Sequence, residues 1–384
     1  MLTTKKLFLI FHGRFPGEKA ASLFAAKSCE AFAGEGVEVV LLVPRRVGRG
    51  KEDPYTYYGV QKNFKIVYLP TLDLLWVKAL QGLAFQLGFA SFSVSCLFYL
   101  LFNANKNDII YSNESFSILL ASLYFPQTLY EVHDFPEHKL GFYKMLFHRV
   151  RHILATNTWK IKRIEEAFNV SHSKMLCERN AVEVKDFDIL LTKKEARAKL
   201  GLPKDEKIIV YTGHLYSWKG VDMLAEAAKM LAEDTLVVFV GGTESDVKNF
   251  RSIYGNVKNI KIVGHRDHSE IPVWQKSADV LVLPNTAKED ISKYYTSPMK
   301  LFEYMASKRP VVASNIPSIA EILNNTNAVL VNPDDPADLA RGIKEILKDE
   351  KQGAVLSDKA YAEVLYHSWQ ARAKRILNFL NKEY

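Results

Sequence analysis

Two hydrophobic spacings alternate along the chain. Short apolar runs at residues 5–11, 37–43, 108–113, 128–136 and 153–157 have the length and branched-residue content of buried strands. Between them, residues 22–33 and 115–125 repeat apolar positions at helical spacing. The order β–loop–α–β is the opening of a parallel, doubly wound sheet. After a turn-rich, charged stretch the pattern restarts. "KIIVYTGHL", "TLVVFVGG", "IKIVGHR", "DVLVLPN", "PVVAS" and "NAVLVNP" read as strands. "GVDMLAEAAKMLA", "KLFEYMAS", "SIAEILN", "PADLARGIKEILKD" and the tail at 365–380 read as helices. The prediction is an α/β protein of two Rossmann-like domains, 1–187 and 188–365, with a cleft between them. The length of 384 residues agrees, since a single core stops growing at about 250–300 residues.

Composition changes this picture little. The chain is 48% hydrophobic and 24% charged, which excludes a disordered or fibrous chain. The net charge of +8 lies mostly in the first half. That favours an anionic acceptor or surface there, without the dense basic stripe of a nucleic-acid binder. Cys29, Cys96 and Cys177 are widely spaced, odd in number and form no CxxC pair. This argues against a disulfide framework and a zinc cluster, and points to a reducing cytoplasm. The first residues read as a strand, since no small-residue cleavage site follows them. Residues 74–102 are long and apolar enough for a membrane span. Lys78, Gln81, Gln86 and two glycines interrupt the run, so a buried or membrane-surface helix pair is expected instead.

Candidate chemistry sits at the predicted strand ends, where open α/β sheets hold ligands. In "YTGHLYSWKG", Gly213 permits a tight turn and close approach of a ligand. His214 and Lys219 add donors, the lysine suiting a diphosphate. An ordinary exposed loop has the same pattern. In "TSPMKLFEYMA", Thr296 or Ser297 serves as N-cap and Pro298 as the first helical residue. The free amides of Met299, Lys300 and Leu301 then suit a phosphate. Glu303, one turn on, suits ribose hydroxyls, or simply the helix dipole. In "YEVHDFPEH", His133 is a donor at a first-domain strand end. A capping or core histidine is the plainer alternative. "FHGRFPGEKAAS" offers Gly13, Gly17, Arg14 and Lys19, but is neither a GxGxxG nor a Walker loop.

Three patterns are set aside as metal sites. "DFD" at 186–188 has no other carboxylate near it in the sequence. His148 and His152, taken as one helix turn, alternate with Arg149 and Arg151. Asp334, Asp335 and Asp338 read as turn and helix-start residues.

Taken in order, these pieces resemble the retaining GT-B glycosyltransferases of family 4, the group 1 transferases. The resemblance runs over nearly the whole chain. It is strongest in "LGLPKDEKIIVYTGHLYSWKGVDMLAEAAKML", "VVFVGG", "SADVLVLPN" and "SPMKLFEYMASKRPVVASNIPSIAEIL". "YHSWQARAKRIL" is similar to the family's closing helix, which implies that 366–384 crosses back to join the first domain. The implied reaction is sugar transfer from a UDP- or GDP-linked donor to an acceptor hydroxyl with retention. The implied acceptor is a cell-envelope glycan or lipid-linked precursor, and neither cofactor, metal nor nucleic acid is implied. By that resemblance the donor site is Gly13, His214, Lys219, His265, Arg266, Ser297, Pro298, Met299, Lys300 and Glu303. His133 and Lys219 would be catalytic, and Gly264 would adjoin the base.

Two positions depart from the family. His214 stands where arginine is usual, and Tyr295 where many members carry another glutamate, which bears on the donor sugar. A sugar-nucleotide epimerase of the same fold and an inactive nucleotide-sugar-binding subunit are the alternatives. The basic excess and the 74–102 stretch lead to a further expectation, docking at the cytoplasmic face of an anionic membrane.

Overall fold

A computed structural model of the chain describes residues 5–17, 19–47, 52–73 and 81–381. These fall into two units, 1–178 with 369–384, and 179–368.

The first unit is a seven-stranded parallel sheet in the order β3-β2-β1-β4-β5-β6-β7. Its strands are β1 (Lys6–Ile10), β2 (Glu38–Pro44), β3 (Lys65–Leu69), β4 (Ile109–Ser112), β5 (Thr128–Val132), β6 (His152–Ala155) and β7 (Met175–Cys177). Most read as unbroken apolar runs because helices cover both faces of a parallel sheet. The helices are α1 (Ala20–Gly34), α2 (Pro54–Tyr58), α3 (Gln81–Asn103), α4 (Ser115–Ala121), α5 (Leu140–Arg149) and α6 (Thr158–Phe168). Phe92, Cys96 and Leu100 of α3 repeat every fourth residue and are buried in the core. Ser93 and Ser117 share a 2.8 Å hydrogen bond that ties α3 to α4. Asn157 caps α6 by accepting from Lys160 N at 2.9 Å.

The second unit is a six-stranded parallel sheet in the order β10-β9-β8-β11-β12-β13. Its strands are β8 (Lys207–Thr212), β9 (Thr235–Val240), β10 (Ile260–Gly264), β11 (Val280–Leu283), β12 (Val311–Ser314) and β13 (Val329–Val331). The helices are α7 (Val184–Phe187), α8 (Lys193–Leu200), α9 (Val221–Ala228), α10 (Glu244–Tyr254), α11 (Ile271–Ser277), α12 (Met299–Ala306), α13 (Pro317–Ala320), α14 (Pro336–Lys348) and α15 (Glu350–Val364). Two apolar cores flank the sheet, one on each face. Strand order reverses between β8 and β11, so a crevice is expected at the carboxyl end of β8.

The last helix, α16 (Trp369–Leu380), belongs to the first unit and packs on α1. Trp369 meets Phe24 at 5.3 Å between ring centroids.

Several sequence expectations shift. The first division falls after Glu178 and not at 187, because Val182 and Phe187 sit in the second unit's core and Val182 bridges to Ser368. The tail is not one helix: a 3-10 turn at Leu365–His367 separates α15 from α16. The expected helix pair at 74–102 is a single helix from Gln81 onward, and 74–80 lie outside the described residues. His148 ends α5 while His152 opens β6, so they share no helix face. Asp188 is bound by Lys308 at 2.9 Å and Tyr361 at 2.8 Å, a structural anchor.

Candidate functional site

The carboxyl end of β8 is held against α12 by Tyr304. Its hydroxyl accepts from Thr212 N at 2.8 Å and lies 3.2 Å from Thr212 Oγ1. The chain then turns through Gly213 at φ +128°, a conformation that favours glycine. A Cβ there would stand 2.9 Å from Lys300 Nζ. The missing side chain therefore brings the β8 loop onto the start of α12. Gly241, Gly242 and Gly264 also have positive φ at the ends of β9 and β10.

Lys300 Nζ is buried and has no hydrogen-bond acceptor among the described residues. It lies 3.9 Å from the centroid of the Tyr211 ring. Burial first, and then the charge of Lys219, pushes its pKa well below the ordinary lysine value, with Glu303 opposing. Lys219 is half-buried, 3.8 Å from the Trp218 ring centroid, and burial lowers its pKa to about 8. Two ammonium groups thus share one small region. A cation stripped of water and left without an acceptor calls for an anion.

His214 is exposed and stacks on Tyr216 at 4.8 Å, with Asp246 at 3.8 Å. Burial of its ring lowers its pKa. Asp246 opposes the shift, and Lys219, Lys300 and His265 add to it. His265 and Arg266 are exposed after β10, where Arg266 donates to the His265 carbonyl at 2.7 Å.

The start of α12 differs from expectation. Pro298 is itself the N-cap, at φ −70° and ψ 122°, and no side chain caps the helix. Ser297 is engaged elsewhere: its hydroxyl accepts from Asn180 N at 3.3 Å, and its carbonyl accepts from the Asn180 amide. Met299 and Lys300 are the first helical residues, so their N–H groups lack intrahelical acceptors. Leu301 N bonds back to the Pro298 carbonyl at 3.0 Å. Tyr295 closes a short turn, Ile291–Tyr295, and is half-buried. Glu303 is 8% exposed, with Gln275 Nε2 3.5 Å from Oε2 and His268 Nε2 3.6 Å from Oε1. The second unit therefore gathers Gly213, Lys219, Lys300 and Glu303.

His133 and Gly13 belong to the first unit. His133 Nε2 is 3.1 Å from Glu131 Oε1. Glu131 is fully buried. Arg372 Nη2 donates to it at 2.7 Å, and the Tyr111 hydroxyl donates to its other oxygen. Burial pushes the Glu131 pKa up, but Arg372 and then His133 overcome this and hold it well below the usual carboxylate range. Buried Lys160 donates to the Val132 carbonyl at 3.2 Å and to the His133 carbonyl, fixing the backbone there. Gly13 has a packing reason to lack a side chain, since a Cβ would lie 2.2 Å from Phe11 Cζ. The Tyr58 hydroxyl clamps the same loop, accepting from Gly17 N at 2.6 Å and donating to its carbonyl at 2.9 Å. Buried His12 has Arg46 Nη2 3.1 Å from its Nε2.

Sequence reasoning used Lys300 only for its amide and passed over Gln275, His268, Tyr304, Glu131 and Arg372. Tyr304 follows Glu303 directly, so an aromatic hydroxyl on the buried side of that helix was the available signal. Glu131 and Arg372 lie 241 residues apart, and no local pattern joins them.

Among the described residues, no group of three or more His, Cys, Asp or Glu could hold a metal. Residues 192–363 match the family model described as glycosyl transferases group 1. An uncharacterized glycosyltransferase of Methanocaldococcus jannaschii is 27% identical over 220 residues, 55% of each chain. D-inositol 3-phosphate glycosyltransferase 1 of Catenulispora acidiphila is 26% identical over 198 residues, 48% of this chain and 46% of that one. The match thus spans about half the length of these curated relatives. HepE of Anabaena, solved in complex with UDP, superposes at a TM-score of 0.75 with 18% identity, covering 98% of this chain and 99% of that one. Fold and family model agree: the chain has the GT-B fold, and its second unit matches the glycosyl transferases group 1 model.

Proposed function

We propose that the protein transfers a sugar from a nucleotide-diphosphate sugar to an acceptor hydroxyl, with retention of anomeric configuration. The observation that carries this reading is the buried, acceptor-free Lys300 Nζ beside Lys219 and the open amides of α12. The two ammonium groups and the helix start would bind the diphosphate and stabilise the charge that grows on it as the glycosidic bond breaks. Buried Glu303 would accept from the ribose hydroxyls, with Gln275 and His268 orienting it. His133, held by Glu131, would serve the reacting sugar as a hydrogen-bond donor. Gly13 would adjoin the phosphates, His214, His265 and Arg266 the nucleotide, and Tyr295 the donor sugar. HepE, the structural neighbour, is crystallised with UDP, which favours a uridine donor. Retention, metal independence and a cell-envelope glycan or glycolipid acceptor follow from the family resemblance, and the cytoplasm is the matching compartment.

Incubation with a panel of UDP- and GDP-sugars in the absence of acceptor tests this. A transferase releases nucleotide diphosphate slowly and the free sugar keeps its anomeric configuration at first appearance. An epimerised nucleotide-sugar would point instead to the epimerase. Binding without turnover would point to an inactive subunit.

A further inference from the structure

Helix α3 has two unlike faces. Phe92, Cys96 and Leu100 face inward and are buried in the first unit's core. On the other side Leu83, Leu87, Val94, Phe98, Leu101 and Phe102 are exposed, Phe98 by 58% and Phe102 by 85%. Steps of four, seven, four and three residues keep the first five on one stripe of the helix. The segment Gly82–Asn103 has a mean hydropathy of 1.7, enough to cross a membrane by length and composition. Spanning would pull Phe92, Cys96 and Leu100 out of the core they complete, so the helix stays on the unit with its stripe outward. So large an apolar face left in water is a mark of an interaction surface.

Charge selects the occupant. Helix α3 contacts α4, and α4 contacts α5. None of the three contains a carboxylate, and their charged residues are the exposed Lys144 and Arg149 on α5. Lys106, also exposed, follows the end of α3. Apolar Leu123, Tyr124 and Met145 are exposed beside them. An apolar helix stripe on a group of helices whose own charges are all cationic matches a bilayer with anionic headgroups, where the stripe enters the acyl boundary and the cations meet the headgroups.

We propose that this face docks on an anionic lipid bilayer, with α3 lying in the plane of the membrane. The inference is independent of the donor site, since a protein without transfer activity would dock equally well. Flotation with phosphatidylcholine vesicles, with and without phosphatidylglycerol, tests it. The full chain should float with the phosphatidylglycerol vesicles at low salt and less at high salt. The double variant F98E/F102E should bind about tenfold less or weaker still. K144E/R149E should lose the preference for phosphatidylglycerol. As a second readout, the Phe98→Trp variant should show a blue-shifted emission on adding those vesicles. No flotation of the wild type, undiminished flotation of F98E/F102E, or an unshifted Trp spectrum would overturn the proposal. A wild-type dimer that F98E/F102E dissociates, without flotation of either, would assign the face to a second copy instead.

Discussion

Lys300 Nζ lies 2.9 Å from the point where a Cβ on Gly213 would stand. The turn after β8 and the first turn of α12 are therefore built as one object. Gly213→Ala should cost about 1–3 kcal/mol from the left-handed backbone alone, and should also displace the ammonium. Thermal unfolding should show the loss of stability, and titration calorimetry with UDP or GDP a weakened affinity. Gly34→Ala is the control: it ends α1 with nothing within 4 Å of its Cβ position. That variant should be neutral or stabilise by about 0.4–1 kcal/mol.

Lys219, lowered to about 8, predicts a proton signature for anion binding. Above pH 8 the free protein holds this side chain neutral, and a bound diphosphate restores its charge. Nucleotide diphosphate binding at pH 8.5 should thus take up protons. Affinity should fall by up to about tenfold per pH unit above that pKa. Calorimetry in buffers of different ionisation enthalpy measures the uptake, and Lys219→Met should reduce it. An uptake identical in wild type and variant would remove Lys219 from the site.

Glu303 is nearly buried, yet among the described residues its carboxylate has only long side-chain contacts, 3.5 Å to Gln275 and 3.6 Å to His268. A ribose would supply the short ones. Hydrogen bonds to a charged group are worth about 1.5–3 kcal/mol, so Glu303→Ala should weaken nucleotide binding by about 10- to 150-fold. The 2′-deoxy nucleotide should already be weak and lose much less on the same substitution. Equal losses for both ligands would show that Glu303 acts on the fold and not on the sugar.

Alternation of apolar runs carried most of the architecture, because buried parallel strands such as "VVLLV" and "IIV" must be apolar on both faces. The places that sequence read poorly are those where one residue does a job set by distant partners. Ser297 looked like a helix cap, but Asn180 takes it, and proline caps α12 without a side-chain bond. The tail reads as a helix that crosses back to the first domain, but its sequence does not show that Arg372 is 1% exposed and reaches Glu131. Nothing local to "QARAKR" distinguishes that arginine from its exposed neighbours. In "SPMKLFE" the local order was legible, because the open amides of Met299 and Lys300 and the carboxylate of Glu303 lie close together on one short helix.

The Arg372–Glu131 pair joins α16 to β5 in the interior of the first unit. Removing one partner leaves a buried charge unpaired, so Arg372→Met should destabilise the protein by about 3–5 kcal/mol. In the double variant R372M/E131Q the loss should be well below the sum of the single losses. Urea unfolding of the four proteins gives the coupling. A coupling near zero would mean that water or another donor already satisfies Glu131.

Acid sensitivity should come from two imidazoles. His12 and His152 are both buried, and each pKa falls from the ordinary 6.5 to about 4. Burial is the first cause for both. Arg46 adds to it at His12, and Arg151 and Lys174 at His152. Each ring is thus neutral in the fold at a pH where the unfolded chain has protonated it. The unfolded chain binds more protons between pH 6.5 and 4, so stability is full above 6.5 and declines as pH falls through that window. The decline is up to about 3 kcal/mol per ring at 1.36 kcal/mol per pKa unit. His152 packs edge-on against Phe379 of α16 at 5.1 Å, so its protonation acts on the helix that closes the first unit. Replacing His152 with Gln should flatten the slope of unfolding free energy over pH 6.5–4 by about half, while the steeper loss below pH 4 stays with Glu131. An unchanged slope would place the acid sensitivity elsewhere.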